Sequence, residues 1–114
     1  MTRIWITAAV VLLTTEAQAG FMDGYRLYEL CTSQDDRDQD LCLGYVQGAV
    51  DYLEWVRREQ NRPACIPLGI PAKRVENVVV SFFRDSPPAR SYEAVRQVIL
   101  AVSHAWNCRI PQKP

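Results

Sequence analysis

The chain has 114 residues, with 13 basic and 13 acidic side chains, one histidine and four cysteines. That neutral balance excludes the basic surface which nucleic acid or an anionic membrane would select. The length supports one small domain with a modest core, the situation in which exported proteins commonly add covalent staples.

The first element is an export signal. Arg3 supplies the cationic start, Ile4 to Leu13 an apolar run, and Ala17-Gln18-Ala19 the small side chains a signal peptidase prefers. A membrane span needs about twenty apolar residues, and Thr14, Thr15 and Glu16 end this run too soon. Residues 1–19 are therefore expected to be a signal peptide cleaved after Ala19, leaving 20–114 as a single helical domain. The leader takes Arg3 and Glu16 with it, so the mature chain stays neutral.

Helical periodicity then runs through most of the chain. Tyr25, Tyr28 and Cys31, widened by Leu27 and Leu30, predict a short first helix. Thr32 to Asp40 reads as a polar turn, with Asp38 and Asp40 placed to cap the next helix and meet its dipole. That second helix is predicted to be the longest, because Cys42, Tyr45, Val46, Ala49, Val50, Leu53 and Val56 recur at three and four. It should end near Glu59, where Asn61, Pro63 and Cys65-Ile66-Pro67 break the pattern.

Pro71 suits the first turn of a third helix, whose stripe is Val75, Val78, Val79, Phe82 and Phe83. The valine run has strand character, but alternation fails across Val78, Val79 and Val80, and a lone strand would lack a partner. Asp85-Ser86-Pro87-Pro88 stops this helix. Ser91 is a plausible N-cap for a fourth, with Val95, Val98, Ile99, Val102, Ala105 and Trp106 as its buried face.

Four helices with short connections predict an all-α fold, an up-down bundle or a close variant. If the chain alternates direction, Cys31 and Cys42 share one pole, while Cys65 and Cys108 share the other. The predicted disulfides are Cys31–Cys42 and Cys65–Cys108. Chain entropy favours the longer loop, roughly 4 kcal/mol against about 3 for the shorter.

Catalytic chemistry finds little foothold. His104 falls beside Leu100 and Gln97, off the apolar stripe, which makes it a solvated surface residue. Cysteines claimed by disulfides offer no nucleophile. Zinc would need paired ligand spacings that the cysteines lack. Asp36, Asp38 and Asp40 match the first ligands of a calcium loop, but Leu41 replaces its glycine and Gln47 its bidentate glutamate. Asp51 and Glu54, with Arg57 and Arg58 one turn on, read as surface ion pairs. The reading is a non-enzyme with no metal and no cofactor.

Gly44 and Gly48 stand inside the long helix, where each is less favourable than alanine by about 1 kcal/mol. At a spacing of four they form a groove for another helix, from the same bundle or from a second subunit.

Cys31-Thr32-Ser33, Cys42-Leu43-Gly44-Tyr45 with Gly48 and Asp51, Cys65-Ile66-Pro67 with Gly69, and Arg90, Ala94 and Cys108 together resemble the type VI secretion amidase immunity proteins, also described as the Tai/Rap family. The resemblance covers Gly24 to Cys108. It departs at Pro71, where threonine is common, and at Trp106-Asn107, where phenylalanine-proline is usual. The resemblance implies a periplasmic, mostly helical protein that binds and blocks an injected cell-wall amidase, often as a homodimer. It also implies a protruding loop that plugs the target's cleft. The connection from Arg84 to Ser91 is the candidate, with Pro87 and Pro88 pre-ordering it and Arg84, Asp85 and Arg90 offering charged contacts. An ordinary turn remains the alternative.

The competing functions are a small periplasmic chaperone of the acid-stress type and an orphan envelope protein-interaction module. One histidine and a neutral balance provide no evident acid switch for the chaperone.

Overall fold

The computed structural model describes residues 2–10 and 22–108; the expected cleavage motif, Ala17-Gln18-Ala19, lies outside them. Residues 2–10 are exposed and hold no regular element. Four α-helices follow: α1 (Gly24–Thr32), α2 (Asp36–Glu59), α3 (Ala72–Asp85) and α4 (Ala94–Ala105), with a 3₁₀ turn at Pro87–Ser91 before α4. No strand occurs among the described residues, and no helix there is long and apolar enough to cross a membrane.

Local chemistry explains the boundaries. Asp23 caps α1, its Oδ1 accepting from Arg26 N at 2.8 Å. The α2 helix begins a turn earlier than Asp38 and Asp40 suggested. Asp35 is the N-cap, its Oδ1 accepting from Arg37 N at 2.8 Å and Asp38 N at 3.3 Å, while Asp36 and Asp38 meet the dipole within the first turn. The same run that resembles a calcium loop is thus a helix start, and the polar turn shrinks to Ser33–Asp35.

Two helices stop in the same way. Asn61 (φ 54°) and Asn107 (φ 50°) take the left-handed conformation just past α2 and α4. Arg62 N donates to Arg57 O at 2.8 Å, and Cys108 N donates to Ser103 O at 2.9 Å, the six-to-one bonds that satisfy the last carbonyls.

Ser91 is not the N-cap of α4. It lies in the 3₁₀ turn, where its hydroxyl donates to Pro88 O at 2.8 Å. The start of α4 is instead tied to the start of α1: Gly24 N donates to Tyr92 O at 2.8 Å and Ala94 N to Met22 O at 2.9 Å. In a strict up-down bundle the start of the first helix would adjoin the end of the fourth. Here it adjoins its start, which makes the fold the close variant. Gly24 permits that approach, since a Cβ there would stand 2.7 Å from Arg90 Cα and 2.9 Å from Phe83.

The core joins Leu27 and Leu30 of α1, Val46, Ala49 and Leu53 of α2, Val79 and Phe83 of α3, and Val98 and Val102 of α4. The face of α4 is rotated from the expected one. Ala94, Gln97, Ala101 and Ser103 are buried, while Val95 and Ala105 are exposed, because α4 packs against both α2 and α3 and buries a wide arc. Both predicted disulfides are present, Cys31–Cys42 with Cα atoms 5.0 Å apart and Cys65–Cys108 with Cα atoms 5.5 Å apart.

Candidate functional site

Two proline-bearing connections flank α3. The first, residues 60–71, carries Pro63, Pro67 and Pro71, so it cannot continue a helix and must find acceptors for its remaining amides. Glu54 supplies them. Its carboxylate accepts from Cys65 N at 2.9 Å and from Ile66 N at 3.2 Å. The expected surface ion pair is therefore a loop anchor, formed across eleven positions of sequence. Arg57, expected on the surface, is buried, and its Nε donates to Pro63 O at 2.8 Å.

Cys65–Cys108 closes this anchor covalently against the end of α4. At the tip, Gly69 takes φ +87°, a left-handed position that side chains rarely adopt. The preceding Leu68 is fully exposed, at 102% of its reference area. Beside it Val46, Val50, Ile66, Ile70 and Val75 line a groove of about 370 Å³, with Gln47 and Asp51 as its polar side chains. Nothing local in the sequence distinguishes Leu68 from a leucine that turns inward.

The second connection is the expected contact loop. Arg84, Asp85, Pro87 and Pro88 are exposed, as a contact surface requires. Arg90 is not free to reach outward. Its Nε donates to Phe83 O at 2.9 Å, and its guanidinium lies 4.0 Å from the centre of the Tyr28 ring. It holds the 3₁₀ turn against α1 and α3, leaving Arg84 and Asp85 as the outward charges.

On α2, Gly44 and Gly48 face away from the bundle, and a Cβ built at either meets no atom within 4 Å. No helix among the described residues fills their groove. Tyr45, on the flank of that face, has its hydroxyl pKa raised by burial, with a hydrogen bond to the Val95 backbone acting the other way.

His104 is exposed on α4. Among the described residues no three His, Cys, Asp or Glu side chains gather into a metal-binding group, and every cysteine is in a disulfide. What the arrangement offers is contact surface: a rigid apolar tip, a charged turn and a glycine-bearing helix face. These suit recognition of a protein.

The family model described as Rap1a immunity proteins matches residues 23–108. No curated protein and no solved structure matches.

Proposed function

Because the chain belongs to the Rap1a immunity protein family, we propose that it is an exported periplasmic inhibitor of a cell-wall peptidoglycan amidase delivered by a type VI secretion system, with no catalysis of its own. The match over residues 23–108 carries this reading, because it spans all four helices and both disulfides rather than a local motif. Two disulfides suit an oxidising compartment, and the leader read in residues 1–19 supplies the route. Sequestration by a rigid body needs no reactive group. The exposed charges of Arg84 and Asp85, at the end of α3 beside a turn held by Arg90 and ordered by Pro87 and Pro88, are the amidase contact. The inhibitor acts as a homodimer.

Protection in cells tests this directly. Bacteria that route the injected amidase to their own periplasm should lyse, and co-expression of the full chain should rescue them. Deleting residues 1–19 should abolish rescue. Failure of the full chain to protect against every peptidoglycan amidase of its source strain and close relatives would overturn the reading. Reversing Arg84 and Asp85 together should weaken inhibition with the fold intact, and unchanged inhibition would remove that turn from the contact.

A further inference from the structure

The outer face of α2 carries a second pattern, independent of the core stripe. Leu41, Gly44, Gly48, Tyr52 and Trp55 recur at three and four, so on a 3.6-residue helix they form one line along the axis. All five are exposed, the three large ones at 58% (Leu41), 54% (Tyr52) and 52% (Trp55). The Tyr52 and Trp55 rings lie 6.1 Å apart. Arg37 and Glu59, also exposed, continue the same line at its two ends. A single continuous apolar strip with aromatic anchors marks an interaction surface.

The strip is self-complementary about Gly48. Leu41 and Trp55 lie seven positions to either side of it, Gly44 and Tyr52 four, and Arg37 and Glu59 eleven. An antiparallel copy of α2 crossing at Gly48 sets each Tyr52 ring over the glycine stretch of the other chain and each Leu41 against a Trp55. It also brings each Arg37 to a Glu59. A parallel copy would oppose Trp55 to Trp55 and like charge to like charge. A two-fold axis at Gly48 gives the closed contact in which the same patch serves both chains.

We infer that the Leu41–Trp55 strip of α2 is the seam between two copies of this chain, antiparallel and centred on Gly48. This rests on the two-copy assembly proposed above and adds its surface and register. It also accounts for the glycines, where an added Cβ would meet no atom of the described residues within 4 Å.

The test is sedimentation equilibrium on the oxidised, leader-free protein. The native chain should be a dimer. Gly48→Glu should be monomeric while keeping its helical circular dichroism, because an added Cβ there meets no atom of the described residues within 4 Å. Arg37→Glu and Glu59→Arg should each weaken the dimer by roughly tenfold, since each sets like charges face to face. Combining them should restore it, an outcome only the antiparallel register gives. A dimer untouched by Gly48→Glu would overturn the seam and leave the two-copy assembly standing. Loss without rescue in the double variant would overturn the register. A native chain monomeric at all concentrations would overturn both, and if Trp55→Ala then cost amidase binding, the strip would belong to the amidase instead.

Discussion

The two connections at the ends of α3 are built from similar residues and behave differently. Both are rich in proline, and both are pinned by an arginine whose Nε donates to a backbone carbonyl, Arg57 to Pro63 and Arg90 to Phe83. The 60–71 connection adds a disulfide and a carboxylate anchor, then points a bare leucine at solvent. The 86–93 connection adds a 3₁₀ turn and a backbone bond from Gly24 N to Tyr92 O at the start of α1, and turns prolines, Ser91, Tyr92 and Glu93 outward. Proline content alone therefore does not identify a contact loop. The anchors determine which side chains remain free to face a partner.

Removing the anchors of each connection should separate them. The largest effect is expected from Cys65→Ser with Cys108→Ser, which should lower stability by about 4 kcal/mol, against about 3 kcal/mol for Cys31→Ser with Cys42→Ser. Denaturant melts of the two oxidised variants give the order. If the shorter-loop pair costs more, the covalent anchor is not the principal restraint on the 60–71 connection.

Gly24→Ala should cost about 2 kcal/mol, because its methyl group would press into the Arg90 backbone and force the 3₁₀ turn off α1. A chemical denaturation midpoint equal to the native one would show that turn to be loosely held. Glu54→Ala should cost about 2 kcal/mol by stranding the Cys65 and Ile66 amides. Faster hydrogen exchange at those two amides, with the 86–93 connection unchanged, would tie the loss to this loop.

Leu68→Ala gives the smallest change in stability, within about 0.5 kcal/mol, since its side chain buries nothing. Its value lies in binding. Amidase inhibition that falls with Leu68→Ala and survives reversal of Arg84 and Asp85 would transfer the contact from the end of α3 to its start.

Much of this architecture was legible in the sequence, and the failures have local causes. Helix number and the disulfide pairing followed from periodicity and alternating direction, because Cys65 and Cys108 both lie just past a helix that ends at the same pole. The start of α2 was misplaced because any of the four aspartates from Asp35 to Asp40, or Gln39 among them, offers a polar side chain, and only the backbone angles select Asp35. The face of α4 was misjudged because Val95, Val98, Ile99, Leu100, Ala101 and Val102 surround the helix almost completely with apolar groups. Gln97, placed off the apolar stripe beside His104, is buried with Ser103.

At the candidate site, Arg84, Asp85, Pro87 and Pro88 stand exposed as expected, whereas Arg90 turns inward to a carbonyl and an aromatic ring. Glu54 reaches eleven positions along the chain, beyond any helical spacing rule. The glycines at 44 and 48 were visible as an anomaly, but only the fold shows that the described residues leave the groove open.

The most direct test uses the oxidised, leader-free protein as bait for exported proteins of its source strain and close relatives, with bound material identified by mass spectrometry and assayed for amidase activity. The predicted result is one cell-wall amidase held at near-equal stoichiometry and inhibited on mixing. Many weakly held clients, or an amidase that binds and remains active, would contradict the account.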